Sequence, residues 1–311
     1  MIADKGLLFS ATFNFDTLKS VTYSLSKKKQ VFILPVNLII SCIFYTQKFT
    51  RRYIFTQPKL AALKPIRTID DVIEILKGII EQSQNNNDTL GYFAALYLKV
   101  TQSVKEGITN NLFDDGPRME KLDVIFASRY IDAYTAFQDN KPVTESWKKA
   151  FDLSEKYWPI VLQHLLIGMN AHINLDLGIA AAEVMKGKDI NNLKGDFDKI
   201  NEVLSKLVHD VENDLSEIWP TLKKILKWTG KVDDFLVDFS MEIARDGAWK
   251  FAVEVSNSPK DKVTGVIVLR DQRVAKTGNL ITNPGRSINI IFDIIRLGEK
   301  GSVSDKIADL K

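Results

Sequence analysis

The sequence predicts an all-α protein, a multi-helix bundle built around one buried central helix at about residues 159–186. Three observations carry that expectation. Between residues 66 and 298 apolar residues recur at 3–4 spacing, with no βαβ alternation and no internal repeat. Helix-start signals stand at the breaks between these runs. The stretch Pro159–Met185 is the most apolar part of the chain after Met119, yet it carries Gln163, His164, Asn170, His172, Asn174, Asp176 and Glu183. Polar groups carried into an interior need partners or a function.

The first 64 residues stand apart from this pattern. Residues 1–67 hold eleven Lys/Arg and two Asp/Glu, a charge of +9 in a chain whose formal net charge is +3, so the remainder carries −6. Val31–Tyr45 is apolar but is interrupted by Pro35, Asn37 and Ser41. It is short of the roughly 20 residues a spanning helix needs, and no small-residue cleavage site follows it. Three readings stand: a weak membrane anchor, an ordered extension, or upstream sequence from a misassigned start. The break in composition, charge and pattern near Pro65 favours the last, with the anchor second. Membrane contact is expected through residues 31–45 only.

The helical signals then follow in order. Thr68 and Asp71 form a capping box, with Asp in place of the usual Glu or Gln, opening Ile69–Gln82. Asp88 caps Leu90–Ile108, and Asp115 with Pro117 starts a helix running to about Phe137. Thr144 caps Glu145–Lys156, Pro159 opens the central stretch, and Gly187 ends it. Asp196–Trp219 is the clearest amphipathic helix, through Phe197, Ile200, Leu204, Leu207, Val211 and Ile218. Pro220–Gly230 reads as a short helix and Val232–Val255 as a long one. Val263–Leu269 fits a strand or a helix, Ile288–Ile295 reads as a helix, and residues 299–311 as a polar tail outside a domain spanning 65–298.

Within the central stretch, Asn170–Leu177 alternates polar and apolar residues between Gly168 and Gly178, which is strand periodicity. The helix-like sequence on both sides, and the unpaired backbone a lone strand would leave, favour helix. At 100° per residue Gln163, Asn170 and Asn174 fall within about 20° of one direction, with His172, Asp176 and Glu183 nearly opposite. Such a helix is expected to be surrounded by others.

Gln163–Val184 (QHLLIGMNAHINLDLGIAAAEV), with Met119–Tyr134 (MEKLDVIFASRYIDAY) upstream and Ala244–Ala252 (ARDGAWKFA) downstream, resembles a bacterial family catalogued as domain of unknown function 5995. The resemblance covers about residues 66–260. It implies a helical domain built round the central helix and carries no activity with it.

His172 and Asp176 are an i, i+4 pair, the spacing of two ligands of one metal or of a His–carboxylate acid/base couple. The other reading is a buried hydrogen-bonded pair that fixes packing. Asp123 falls inside the apolar face of Met119, Leu122, Phe126 and Tyr130, where a carboxylate wants a cation, a histidine or several donors. The competing reading bonds it to Asn170, Asn174 or Tyr130. Arg129 flanks that face. His164 lies about 12 Å of rise from His172 and cannot join it on one ion. Asn170 and Asn174 are placed to orient a ligand. Asp246 falls near the apolar face of its own helix. Arg245 pairs with Trp249 and offers an anion contact, or else surface stacking. His209-Asp210, the third histidine, reads as part of a solvated face.

Absences narrow the chemistry. The sequence has no Glu-x-x-His, HExxH, Walker loop, GxGxxG or GxSxG. Cys42 is the only cysteine, so no intrachain disulfide forms and no thiol or Cys-ligated metal site exists beyond it. No cofactor is assigned, and a metal stays open. A mildly acidic body argues against nucleic acid as partner. A cytoplasmic location is expected, with membrane association as the alternative. Two functions remain: a small-ligand site using His172, Asp176 and Asp123 for binding, acid/base or metal-assisted chemistry, or a helical scaffold whose polar core only specifies packing.

Overall fold

The computed structural model describes residues 11–12, 20–24, 31–35, 65–219 and 241–311. The backbone divides into two units, Met1–Leu63 and Lys64–Lys311. In the first, β1 (Ala11–Thr12), β2 (Ser20–Ser24) and β3 (Val31–Pro35) form an antiparallel meander, with Val21 opposite Leu34 and Thr22 opposite Ile33. The apolar run that starts at Val31 therefore begins as a strand. Its remainder to Tyr45, and with it the anchor reading, lies outside the described residues.

The second unit is all-α among its described residues. It opens with α1 (Ile69–Asn86), α2 (Leu90–Thr109), α3 (Gly116–Gln138) and α4 (Glu145–Ser154). The central helix follows in three parts: α5 (Val161–Ala171), a π-helical turn His172–Leu177, and α6 (Gly178–Val184). A 3-10 turn, Ile190–Leu193, leads into α7 (Lys194–Ile218). The chain returns with α8 (Met241–Asn257), α9 (Val263–Thr282), α10 (Arg286–Gly298) and α11 (Val303–Asp309). Val263–Leu269 thus belongs to a long helix. The short helix expected at Pro220–Gly230 lies outside the described residues. The expected polar tail 299–311 is a correction: Ser302 caps α11, and Lys306, Ile307 and Leu310 are buried. Its few apolar residues fall on one face, and that face docks on α1 and α2.

Local signals set several helix starts as expected. Thr68 and Asp71 make the reciprocal capping box of α1, and left-handed Asn87 (φ 49°) ends it. Asp88 accepts from the Leu90 amide, and Asp115 accepts from that of Arg118. Thr144, however, makes no cap. The first amides of α4, Glu145 and Ser146, donate to Asp271 of α9 at 2.7 and 2.9 Å. Similar long-range caps recur. Asp196 takes the amides of Asp114 and Asp115 before α3, Glu299 takes that of Val161 at the start of α5, and Glu120 takes that of Ile69. Each satisfies an amide that the helix itself leaves unbonded.

The central helix is enclosed by α2, α3, α4, α8 and α9. Val161–Val184 is the one stretch among the described residues long and apolar enough to cross a membrane, and 83% of its most apolar window is buried inside the bundle. The polar side that faces α9 is consumed in packing. Gln163 donates to the Ile281 carbonyl, Asn170 to the Val274 carbonyl, and Asn174 to Asn170. The alternating stretch Asn170–Leu177 is helical, as expected, but from His172 to Leu177 it is a π turn. Contacts on every side leave no single apolar stripe, and Arg270 of α9 binds the Asn174 carbonyl within the widened turn at 2.8 Å.

Gly178 restarts the α-helix where α8 crosses it. A methyl group there would sit 2.6 Å from Phe251 and 2.9 Å from the Ala248 carbonyl. Gly178→Ala is expected to destabilise by about 1–3 kcal/mol, because backbone cannot yield as a side chain does. Gly265→Ala, in α9 with nothing within 4 Å, should instead stabilise by about 0.5–1 kcal/mol. Chemical denaturation of both variants checks the pair; equal effects would mean that the α6–α8 approach is not close.

Candidate functional site

His172 stands at the start of the π turn, and five aromatic side chains pack around its ring. Phe126 of α3 stacks on it at 3.6 Å between centroids and 7° between planes. Tyr97 of α2 meets it edge-on at 4.6 Å and Phe93 at 5.8 Å. Tyr130 and Trp147 complete the enclosure. One turn on, Asp176 is 1% exposed and accepts three hydrogen bonds: from Arg129 Nε at 2.7 Å, from Trp147 Nε1 at 2.8 Å, and from His172 Nδ1 at 3.2 Å. A carboxylate accepting from three donors needs no further partner, and as the acceptor it fixes His172 as the Nδ1–H tautomer. Nε2 then presents a lone pair. It is buried and has no hydrogen-bond partner among the described residues.

Electrostatics keep this ring neutral. Burial lowers the His172 pKa, and the bond and charge of Asp176 only partly restore it. Arg129, itself part-exposed, links Asp176 to the surface.

Asp123 lies on the same α3 face, one turn before Phe126. Two of its expected partners are engaged elsewhere, Asn170 with the Val274 carbonyl of α9 and Asn174 with Asn170, and Asp123 Oδ2 has no partner among the described residues. Burial, reinforced by the charge of Glu120, raises its pKa to about 7. Near neutrality this carboxyl therefore retains a proton it can donate. Tyr97 lies near both groups. Its ring faces His172, and the charges of Asp123 and Asp176 add to burial in pushing its phenol well above the ordinary value. Its hydroxyl lies beside that of Thr101, one turn along α2, and neither makes a well-formed hydrogen bond among the described residues.

The other expected site residues lie elsewhere. Asn170 and Asn174 face α9, on the far side of the central helix. His164 sits two turns away against Tyr92 at 5.5 Å, where burial and the charges of Arg296 and Lys306 lower its pKa to about 3. Arg245 is buried, lies over the Phe197 ring at 4.6 Å and donates to the Phe197 carbonyl. Burial lowers its pKa to about 10. It ties α8 to α7 rather than contacting His172, and neighbouring Asp246 is exposed, not on the apolar face. The side chains of His209 and Asp210 lie outside the described residues. No group of three His, Cys, Asp or Glu able to hold a metal occurs among the described residues.

The sequence profile of DUF5995, described as a family of unknown function, matches residues 69–284. The chain belongs to this family. No curated protein and no solved structure matches it. The matched span of this DUF5995 chain runs from α1 into the turn after α9, so it holds His172, Asp176, Asp123, Arg129, Trp147 and Tyr97, and stops before α10 and α11. Trp147, Tyr97, Phe93 and Thr101 were not singled out from sequence. The one signal available was the need of a buried tryptophan N–H for an acceptor, which does not say which acceptor.

Proposed function

We propose that the DUF5995 domain binds a small polar molecule at His172 Nε2, with Asp123 as the opposing donor. One observation carries this reading: a buried imidazole whose tautomer is fixed by a fully bonded carboxylate, and whose acceptor nitrogen is left without a partner. A core that only specified packing would pair that nitrogen, since a buried polar atom left unmade costs about 1–3 kcal/mol. The π turn beneath it supports the same reading, such turns being frequent at functional sites. Neutral His172 accepts a proton or hydrogen bond and protonated Asp123 donates one, a general base on the central helix and a general acid on the α3 helix packed beside it. Arg129, Trp147 and Asp176 position the imidazole and do not themselves touch a ligand. Charged ligands suit the aromatic enclosure poorly, so the expected ligand is uncharged and carries both donor and acceptor groups. A cytoplasmic setting without nucleic acid suits an acidic body whose only cysteine is Cys42.

His172→Phe tests the reading. The ring keeps its stacking with Phe126, and Asp176 keeps Arg129 and Trp147. If Nε2 serves a ligand, the variant should lose less than about 1 kcal/mol of stability, or gain, because an unmet acceptor has gone. A library of small alcohols, amides and acids, read by thermal shift, should then yield compounds that raise the melting temperature of the native chain and not of the variant. A loss of about 2 kcal/mol or more, with no compound separating the two proteins, would favour the scaffold reading.

A further inference from the structure

α10 carries apolar residues on both sides. Phe292 and Ile295 are buried in the bundle, while Ile290, Ile294 and Leu297 are 61%, 54% and 79% exposed. At 100° per residue these three lie within about 60° of one another on the outer face. A surface helix ordinarily keeps that face polar. Arg286 and Asp293 edge the stripe on the same side, both exposed, and neither has an ion-pair partner among the described residues.

We infer that the outer face of α10 is a dimer interface with a second copy of this chain, the two helices packing antiparallel about a two-fold axis. The charge pattern selects this occupant. In an antiparallel pair, residues on the same edge of the two helices face each other. A two-fold axis crossing α10 between Asn289 and Ile290 sets Arg286 of one copy against Asp293 of the other, and the reverse. Both pairs form at once, as an isologous interface requires. The same register carries Leu297 past the first residue of the other copy's α10, at the end of that helix to which α9 leads from Thr282. Ile294 falls over the other copy's Gly285–Arg286 turn, where the glycine adds no side chain. A parallel pairing would bring Arg286 beside Arg286 across the axis and lose the match. The interface is independent of the His172 site and of the reading given to it.

Sedimentation velocity of the full chain over a range of protein concentrations tests the inference. A dimer is expected. Ile294→Asp should abolish it, with an unchanged circular dichroism melt because the side chain faces solvent. Asp293→Arg sets four cations together and should weaken the dimer by about tenfold or more, as should Arg286→Asp through four carboxylates. The double variant, Arg286→Asp with Asp293→Arg, should restore it. A monomer at every concentration, a dimer indifferent to Ile294→Asp, or a double variant no better than either single one would each overturn the proposal. So would a monomer that binds anionic phosphatidylserine vesicles through this stripe.

Discussion

Truncating Glu299 to alanine should cost about 3–5 kcal/mol of folding stability, the largest effect expected of any single substitution considered. The carboxylate is 4% exposed and makes three contacts: the Val161 amide at 2.8 Å, Lys306 Nζ at 2.8 Å and Arg296 Nη1 at 3.0 Å. Lys306 is 3% exposed, so losing its partner leaves an ammonium in the interior with nothing to balance it. The first amide of α5 is orphaned in the same step. Arg296 is closer to solvent and still binds the Tyr157 carbonyl. Urea unfolding should show the midpoint falling at unchanged slope. Glu299→Met combined with Lys306→Met should recover most of the loss, because neither charge then remains. A cost below about 1 kcal/mol for the single variant, or no recovery in the double, would contradict this account.

Asp123→Asn should act in the opposite direction, and only at higher pH. The folded chain holds this carboxyl at about 7, against 3.8 for the free group. Between those values the folded state binds the proton more tightly than the unfolded state, so stability falls as pH rises through the window. Above pH 7 the full cost is present, up to about 4 kcal/mol. Asparagine removes it. The variant should match the native chain within about 1 kcal/mol at pH 4, gain steadily to pH 7, and exceed it by about 2–4 kcal/mol at pH 8. His164 has the reverse sign. Its folded pKa of about 3 lies below the free value of 6.5, so its contribution is full above 6.5 and is lost as pH falls toward 3. His172 has the same sign. In the native chain the two slopes oppose each other between about pH 4 and 6.5; in the variant only the histidine slope remains. Urea unfolding across a pH series reads both. If Asp123→Asn destabilises equally at every pH, the carboxylate is ionised and paired, and it is not the donor assigned to it.

The helical architecture was legible in the sequence because it rests on local chemistry. The Thr68–Asp71 box, Asp115 with Pro117, and the 3–4 spacing of Ile69, Val72, Ile73 and Leu76 are all written within one or two turns. The division of the central helix into an α9-facing side and a His172 side was legible for the same reason. The π turn was not, since its alternation imitates a strand and its widened backbone is held by Arg270 from almost a hundred residues away. The His172–Asp176 pair was legible from spacing. Its enclosure was not, because Phe93, Tyr97, Phe126 and Trp147 arrive from three helices whose relative rotation no local pattern encodes. Arg245 misled for a related reason: an arginine on a partly apolar helix looks available for an anion, and only the packing of α8 on α7 shows it covered.

The caps supplied from distant helices have a consequence for how the chain is made. The amides before or at the start of α1, α3, α4 and α5 are completed by residues 51, 82, 126 and 138 positions further along. Every one of these carboxylates is synthesised after the helix it closes. During translation α3 waits for Asp196, α4 for Asp271, and the central helix for Glu299. Contacts that span so much sequence order late, after their loop-closure entropy has been met. A nascent chain stopped before α10 is expected to hold its innermost helix with an open first turn, exposed to proteases and chaperones until Glu299 can reach it.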